Sequence, residues 1–382
     1  MSVIPQDPIW INETAELERL CERWNQQAAI AVDTEFMRST TFFPKAALFQ
    51  VGDGQGCYLI DPLAIDDFSA FQGVMRNPEV IKVLHSCSED LEVFQTFMGQ
   101  IPTPVFDTQI AAAIAGHGFS LGYAKLIEVL MNVPVPKSET RSDWLQRPLS
   151  KPQLQYAALD VAYLLVAYGL LRKQLKQNGR LAWVEKDCAD MLAQAERGID
   201  FDQMYLKIKS AWKLNRPQLA VLQALTAWRE EEARARDVPR NRLIKEHALW
   251  DMARYQPTEL KQISGLEGMT ARILKEDGDT LLSIIAESEK LPEEACPLRL
   301  PKPLPPEQGD LLKSLKHFAR ETAVTLGIAP EVLVRKKDFE DLVRSGMENS
   351  DYSLNERLSG WRREVVGQGL LTLAQQWSAG QR

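Results

Sequence analysis

The first half of the chain contains short apolar blocks separated by polar turns. Three such blocks, at 28–36, 46–52 and 56–61, follow one another closely, and a fourth lies at 80–85. Strands joined by connections too short for a helix pair antiparallel, so the first three blocks predict neighbouring antiparallel strands. The fourth block predicts another buried strand.

Helical patterns follow these strands. The stretch 86–95 has acidic residues in its first turn, and Ser86 or Ser88 is a possible N-cap. A further helix at 107–114 begins at Asp107, another residue type that caps helices. Strands followed by strand–helix alternation predict an α/β fold in which helices flank a mixed sheet.

The second half of the chain is predicted to be helical, because strand signals end near residue 187 and helical spacing dominates. The segment beginning at Asp237 aligns with the one beginning at Gly327, about 90 residues later, which indicates a tandem pair of small all-α domains. Six prolines between 291 and 309 exclude a regular element there. The predicted organisation is an α/β domain at 1–200, helical domains at 204–290 and 310–382, and a proline-rich linker at 291–309.

Composition narrows the class of protein. The chain has 382 residues, 45% of them hydrophobic, and a net charge of −7, which excludes a wholly basic nucleic-acid coat. Charge is uneven, however: residues 1–180 have 15 basic and 20 acidic side chains, whereas 204–275 have 14 and 8. The first helical domain is therefore a candidate phosphate-binding surface.

Other features point to a cytoplasmic protein that is not inserted in a membrane. The N-terminal residues lack a basic region followed by an apolar one, and no unbroken apolar run approaches the ~20 residues of a membrane span. Five scattered cysteines without a C-x-x-C pair argue against disulfides and thiolate zinc, and the four histidines argue against a His-rich zinc site. Carboxylates with oxygen-preferring metals are the expected chemical tools.

Two acids close the first predicted strand. Asp33 and Glu35 are two residues apart, so their side chains project from the same face. Two carboxylates emerging together from an apolar run repel each other unless a cation lies between them. The pair is therefore a candidate divalent-metal ligand set, although the same pattern also occurs in solvated loops.

Further acids lie on predicted helices. Asp90 opens a helix after the 80–85 strand, with Glu89 and Glu92 as competing candidates, and it could equally serve the helix dipole. Tyr156 and Asp160 are four residues apart and share a helix face within an Ala- and Leu-rich stretch. A carboxylate in such apolar surroundings requires a partner.

These segments occur in a recognisable order: Asp-x-Glu on a strand, an acid opening a helix, and Tyr-x-x-x-Asp on a later helix. That order resembles the tyrosine-containing branch of the DEDD exonuclease superfamily, which has the ribonuclease H-like fold. Other segments are similar to the ribonuclease D family, namely Leu48-Phe49-Gln50, Asp61-Pro62, Phe106-Asp107-Thr108-Gln109 and Ser142-Asp143-Trp144-Leu145. The helical repeats resemble the paired HRDC domains of that family.

The resemblance implies a metal-dependent 3′→5′ exoribonuclease that releases 5′-mononucleotides from RNA ends, above all the 3′ extensions of tRNA precursors and other structured RNA. Two Mg²⁺ or Mn²⁺ ions would be held by four carboxylates. By the resemblance, Asp33 bridges both ions, Glu35 and Asp160 complete the first, and Asp90 holds the second. Tyr156 would hydrogen-bond the attacking water.

Substrate contacts are predicted for residues near these motifs: Thr34, Phe36, His85, Lys137, Arg141 and Trp144. Cations would contact phosphates and aromatic rings would stack on bases. RNA is the expected partner, and no obligate protein partner is indicated. Two alternatives remain open from the sequence: a single-stranded DNA exonuclease of the same superfamily, and an inactive nucleic-acid-binding scaffold.

Overall fold

A single six-stranded sheet organises the first part of the chain. The computed structural model describes residues 4–136, 139, 142–349 and 351–380. The strands are β1 (Pro8–Ile11), β2 (Ala29–Met37), β3 (Lys45–Gly52), β4 (Cys57–Ile60), β5 (Ile81–Leu84) and β6 (Val105–Asp107). Their order across the sheet is β1-β4-β3-β2-β5-β6.

The sheet is mixed, as predicted. Strands β3 and β4 pair antiparallel, with Phe49 opposite Ile60, while β5 pairs parallel with both β2 and β6. The hydrophobic pattern did not predict β1, a four-residue edge strand that pairs parallel with β4. So short a strand gives almost no periodicity from which to predict it.

The chain forms two compact units, and the first contains the sheet. Unit 1 comprises residues 1–37, 46–196 and 304–382, and unit 2 comprises 38–45 and 197–303. The helices around the sheet are α1 (Thr14–Trp24), α2 (Ser69–Arg76), α3 (Ser88–Met98), α4 (Thr108–Ala115), α5 (Tyr123–Met131), α6 (Lys151–Ala162), α7 (Leu164–Gln177) and α8 (Leu181–Glu196).

Two apolar clusters form the core around the sheet. One contains the fully buried Trp24, Phe49, Phe71 and Phe94. The other is rich in alanine and leucine, includes Ala31 of β2, and extends into the C-terminal helices. Small side chains in this second cluster allow α6 and α7 to approach the sheet closely.

The Asp107 carboxylate accepts hydrogen bonds from backbone N–H groups at the starts of two helices. Its Oδ1 atom accepts hydrogen bonds from the backbone N–H groups of Gln109 and Ile110, which confirms it as the cap of α4. Its Oδ2 atom accepts from the N–H of Cys87, 2.9 Å away, just before α3. The prediction that Ser86 or Ser88 caps α3 is wrong: Cys87 occupies the cap without a side-chain bond, and Ser86 has a left-handed φ of 58°.

Lys82 of β5 is completely buried, which is unusual for a lysine. Its Nζ atom lies within hydrogen-bonding distance of four backbone carbonyl oxygens: Val74 at 3.4 Å, Asn77 at 2.9 Å, Val80 at 2.7 Å and Thr103 at 2.6 Å. Burial lowers the pKa of this amine to about 7. The side chain therefore ties β5 to the segments on either side of it.

The C-terminal part of unit 1 is helical and packs on the sheet domain. Its helices are α14 (Gly309–Leu326), α15 (Pro330–Leu333), α16 (Lys336–Ser345) and α17 (Gln368–Gly380). Trp361 stacks on Trp183 of α8, with ring centroids 4.3 Å apart. Arg362 donates to both carboxylate oxygens of Asp187, at 2.8 and 2.7 Å, and the Trp361 indole donates to the same carboxylate.

Unit 2 is a helical bundle that also includes a loop from the sheet domain. Its helices are α9 (Arg216–Ala235), α10 (Arg240–Leu243), α11 (Glu246–Tyr255), α12 (Leu260–Ser264) and α13 (Ala271–Glu289). The loop 38–45, which follows β2, packs Phe42 against Ala233 and Leu243. Asp237 accepts hydrogen bonds from the backbone N–H groups of Phe42 and Phe43, which fixes the loop on the bundle.

The two sets of helices repeat one arrangement. Helix α15 starts 90 residues after α10, and α16 starts and ends 90 residues after α11. This is the spacing that the sequence repeat predicted. Between them, residues 291–309 contain only two short 3₁₀ turns, Glu293–Ala295 and Pro306–Gln308, before α14 begins.

One stretch, Lys151–Gln177, is long and apolar enough to cross a membrane by length and composition alone. A search for unbroken apolar runs does not detect this stretch, because polar residues interrupt the apolar ones. In the structure it consists of α6 and α7, and its residues Ala158, Leu164 and Leu171 lie in the core. Length and composition are therefore weak evidence for a span here.

Candidate active site

Asp33, Glu35, Asp160 and Tyr156 lie among the residues that line one cavity of about 660 Å³ in unit 1. Asp33 and Glu35 come from the C-terminal half of β2, and Tyr156 and Asp160 come from α6. The i,i+2 spacing on the strand and the i,i+4 spacing on the helix thus bring these side chains to one cavity.

Local features place α6 against the sheet. Ser150 and Gln153 form a capping box at its N-terminus. Close packing requires a glycine in β3, because a Cβ atom at Gly52 would lie 2.7 Å from the carbonyl oxygen of Val161. The helix therefore presents Asp160 at a fixed distance from β2.

Asp90 reaches the same site from α3. Its carboxylate accepts a hydrogen bond from the Thr34 hydroxyl, 2.5 Å away, and both residues are buried. Asp90 also interacts electrostatically with Asp33 and Glu35. The fourth acid therefore lies beside the other three, although it does not line the cavity itself.

The four carboxyl groups destabilise one another's ionised forms. Burial, followed by repulsion from Asp90, Asp160 and Glu35, raises the pKa of Asp33 well above its usual range. Burial and repulsion from Asp160 raise the pKa of Glu35 to about 9. Burial chiefly raises the pKa of Asp160 to about 8 and that of Asp90 to about 6. A cation at this site would relieve both costs.

The donor set is suited to a hard divalent cation, because all four side chains offer oxygen. As arranged in the described part of the chain, no three Asp, Glu, His or Cys side chains already form a metal cage. Asp90 accepts a hydrogen bond from Thr34, and Asp160 accepts one from Tyr156. The residues present thus fit a metal by chemistry and burial.

Tyr156 belongs to this carboxylate cluster. Its hydroxyl donates a hydrogen bond to Asp160. Burial, and then the charges of Asp160, Glu35 and Asp33, raise the pKa of the phenol further above its ordinary value. Tyr156 therefore keeps its proton and can act as a hydrogen-bond donor or as an acceptor, but not as a strong base.

Trp144, a predicted substrate contact, also lines the cavity. Its ring centroid lies 6.0 Å from that of Tyr156, and the side chain is buried. Arg147 holds this loop in place: it forms a bidentate pair with Asp61 at 2.9 and 2.6 Å and donates to the carbonyl oxygen of Trp144. The indole Nε1 atom of Trp144 has no hydrogen-bond partner among the described residues.

The other predicted substrate contacts differ in their surroundings. Phe36 lines the cavity and remains partly exposed. His85 lines it too, but its ring nitrogens are bonded to the Thr108 hydroxyl at 2.9 Å and the Leu121 carbonyl at 3.0 Å, so they serve packing. The Thr34 hydroxyl is engaged by Asp90. Lys137 and Arg141 lie outside the described residues.

Sequence reasoning missed some residues at the cavity. Tyr123 lines it and donates to the Leu159 carbonyl oxygen, 2.7 Å away. No motif marks this tyrosine, because the packing of α5 against α4 and α7 brings it there. Glu89, which competed with Asp90 on sequence grounds, lines the cavity, whereas Asp90 makes the buried contact to Thr34.

Family comparisons agree with this geometry. Residues 8–176 match the family model described as a 3′-5′ exonuclease, and residues 218–285 match the HRDC domain. The site and fold thus define a 3′→5′ exonuclease of the carboxylate type, a class that depends on divalent metal ions.

Whole-chain relatives define the family. A ribonuclease D of Pseudomonas paraeruginosa is 47% identical over 95% of this chain and 96% of its own. One from Escherichia coli K12 is 36% identical over 94% and 96%. The crystal structure of Escherichia coli RNase D, described as an exoribonuclease involved in structured RNA processing, superposes with a TM-score of 0.89 and 35% identity, covering 97% of this chain and 99% of that one. The chain belongs to the ribonuclease D family and is a 3′→5′ exoribonuclease.

Proposed function

We propose that this exoribonuclease trims structured RNA, tRNA precursors above all, by releasing 5′-mononucleotides from an unpaired 3′ end with the help of two Mg²⁺ or Mn²⁺ ions. One observation carries the proposal: Asp33, Glu35 and Asp160 share a single cavity with Tyr156, and Asp90 interacts electrostatically with Asp33 and Glu35. A cavity that admits one strand end favours exonucleolytic cleavage.

The resemblance to the family supplies a division among the acids. Asp33, which interacts electrostatically with the other three carboxylates, would be a ligand shared by both ions. Glu35 and Asp160 repel each other directly and would complete one ion site. Asp90 would hold the second ion from α3, oriented by its bond to Thr34.

When bound, such a pair of ions stabilises charge on the attacking and leaving oxygens of a phosphodiester. In the reaction, the oxygen of a water molecule attacks the terminal phosphorus. The bond from that phosphorus to the 3′ oxygen of the preceding nucleotide breaks, and this oxygen takes up a proton. The products are a 5′-mononucleotide and an RNA shortened by one residue with a free 3′ hydroxyl.

Tyr156 and Trp144 would position the reacting groups. Because the phenol keeps its proton, Tyr156 orients the attacking water by hydrogen bonding rather than by removing its proton. The Trp144 indole, held beside it by Arg147, offers a flat surface to the terminal nucleotide.

Two observations support structured RNA as the substrate. The Escherichia coli relative, similar along nearly its whole length, is described as acting in structured RNA processing. In addition, residues 204–275 are basic within an acidic chain, which suits contact with the folded body of an RNA. Cytoplasmic location remains a prediction from the sequence.

The test uses a tRNA precursor with a labelled 3′ tail, incubated with Mg²⁺, with Mn²⁺ or with EDTA. We expect labelled 5′-mononucleotides, a product ladder that ends near the folded stem, and no turnover in EDTA. Asp160→Asn is the inactive control. A matched single-stranded DNA should be degraded more slowly. Internal cleavage products, or turnover in EDTA, would contradict the proposal.

A further inference from the structure

The aromatic surface of unit 2 groups three rings with two cations. It consists of Trp212 and Lys213, just before α9, and of Trp250, Arg254 and Tyr255 on α11. Tyr255 is 60% exposed, and both tryptophans are partly exposed. Large rings that cluster at a protein surface mark sites of interaction with a partner.

Two hydrogen bonds place the two parts of this surface side by side. The Trp250 indole donates from Nε1 to the carbonyl oxygen of Ser210, 3.0 Å away. The Gln218 amide donates to the carbonyl oxygen of Arg254, 2.9 Å away. Because both ends of the segment 210–218 are bonded to α11, the residues between them lie beside that helix.

The cations of the aromatic surface lie over its rings. The Cζ atom of Arg254 is 5.2 Å from the ring centres of both Trp250 and Tyr255. The Nζ atom of Lys213 is 5.5 Å from the ring centre of Trp212. Neither cation pairs with an acid in the part of the chain that the structure describes, and both are exposed. Their N–H groups are therefore available to an external acceptor, while the rings hold the cations in place.

The internal repeat shows that the helical fold does not require these rings. Helices α11 and α16 are equivalent, and each buries the same four positions, 90 residues apart. At positions outside this buried set, Glu340 stands where α11 has Trp250, and Ser345 stands where it has Tyr255. The rings thus belong to the surface of the first repeat alone, which points to a binding role rather than to packing.

The charge around the aromatic surface is mixed. Helix α11 also carries two acids, Glu246 at its start and Asp251 beside Trp250. The wider segment 204–275 is basic, with 14 basic and 8 acidic side chains. A polyanion is therefore attracted to this part of the chain, but attraction alone is modest at the rings, so stacking must supply part of the affinity.

We propose that the aromatic surface binds an unpaired stretch of the RNA substrate, with its rings stacked on bases and with Arg254 and Lys213 in contact with the phosphates. RNA fits this surface better than a protein does, because rings and unpaired cations alternate within the basic part of the chain. Every base has a flat face, so such binding would tolerate any sequence. The inference rests on the proposed RNA-trimming function and gives the first helical domain a specific contact.

The test measures binding of a labelled single-stranded RNA to the full chain in EDTA, so that it does not depend on turnover. Tyr255→Ser removes the most exposed ring of the surface and introduces the residue type found at Ser345 in the second repeat. Thermal unfolding checks that the variant folds. Tyr255→Phe is the matched control, because it keeps the ring and loses only the hydroxyl group.

We expect Y255S to weaken RNA binding roughly five- to tenfold, with the same slope of log affinity against log salt, because the lost contact is uncharged. Y255F should stay within about twofold of wild type. Arg254→Gln should weaken binding and lower the slope by about 0.7. Arg344→Gln removes the equivalent charge from the second repeat, which has no rings there, and should change the affinity and the slope much less.

An RNA that keeps its phosphates but lacks its bases separates stacking from attraction to phosphates. Wild type should bind this abasic RNA more weakly than intact RNA, and wild type and Y255S should bind it equally, because the tyrosine then has nothing to stack on. A difference between the two proteins that persists with abasic RNA would contradict the proposal.

A folded Y255S variant that binds intact RNA like wild type would overturn the proposal. Equal effects of R254Q and R344Q would overturn the role of Arg254, since they would indicate only diffuse electrostatic attraction. None of these measurements requires turnover, so a failure to release 5′-mononucleotides with Mg²⁺ would count against the proposed function instead.

Discussion

Thr34 donates its hydroxyl hydrogen to the carboxylate of Asp90, and this bond joins two acidic segments that lie 56 residues apart in the sequence. Thr34 stands between Asp33 and Glu35 on β2, while Asp90 opens α3. The strand that carries two of the acids thereby orients a third. Removal of a side chain that orients a metal ligand commonly changes the affinity of the site for the metal.

Replacement of Thr34 by valine should weaken the affinity of the site for Mg²⁺. Valine keeps the branched shape but has no hydroxyl, so the Asp90 carboxylate loses its donor. We expect the Mg²⁺ concentration for half-maximal activity to rise roughly tenfold or more. Thr34→Ser is the matched control, because it keeps the hydroxyl and should stay close to wild type. A valine variant with unchanged Mg²⁺ dependence would show that the bond is only structural.

Tyr156 and Asp160 should differ in their effect on turnover. Asp33→Ala and Asp160→Ala should each remove nearly all activity, because a carboxylate of the metal site is lost. Tyr156→Phe should reduce kcat roughly tenfold to hundredfold while leaving the Mg²⁺ dependence unchanged, because it removes only an orienting hydrogen bond. If Y156F turns over like wild type, the phenol is a packing residue.

The metal-free protein should lose stability as pH rises. The folded pKa values of Glu35 and Asp160, about 9 and about 8, lie above their unfolded values, so the folded state binds more protons between about pH 4 and pH 9. Their contribution is complete below the unfolded pKa and disappears as pH passes the folded pKa. The melting temperature in EDTA should therefore fall from pH 5 to pH 9.

Two controls make that measurement specific to the acidic cluster. Glu35→Gln removes one titrating group, so the pH dependence in EDTA should become shallower. Mg²⁺ should raise the melting temperature most at high pH, since cation binding displaces the protons that the cluster retains. Identical pH slopes for wild type and E35Q would contradict this account.

The contact between Asp187 and Arg362 should stabilise unit 1. Both side chains are mostly buried, with 13% and 11% exposed, and the pair is bidentate. Asp187→Asn leaves the guanidinium without its counter-charge and should lower the free energy of unfolding by about 2–4 kcal/mol. Asp190→Asn on the same helix, which breaks an exposed pair with Lys186, should cost under about 1 kcal/mol. Equal costs would mean that burial of the pair is unimportant.

Periodicity predicted much of this fold. The spacing of apolar residues located β2 to β5 within a residue or two, and the 90-residue offset located two pairs of matching helices. It could not reveal β1, which is short, or the assignment of the loop 38–45 to unit 2. That assignment depends on Asp237 and on aromatic packing between segments almost 200 residues apart.

The pairing of Asp33 with Glu35 and of Tyr156 with Asp160 was predictable because strand and helix geometry fixes which neighbours share a face, whereas only the family resemblance singled out Asp90. The hydrogen bonds and neighbouring side chains that complete the site were not predictable. Nothing in the sequence says that Thr34 bonds Asp90, that both nitrogens of His85 are engaged, or that Tyr123 joins the cavity. Each of these depends on contacts between distant segments, and sequence spacing carries no information about them.

Chemical modification of the buried Lys82 amine would report how often this part of the sheet opens. Because Nζ has no exposed surface and is surrounded by carbonyl oxygens, an acylating reagent can reach it only in molecules in which β5 and the segments that carry those carbonyl groups have separated. The rate at which mass spectrometry detects acylation of this one lysine would therefore measure how often the strand leading to Asp90 opens. Tight binding of RNA or of a cation at the carboxylates should lower this rate of acylation.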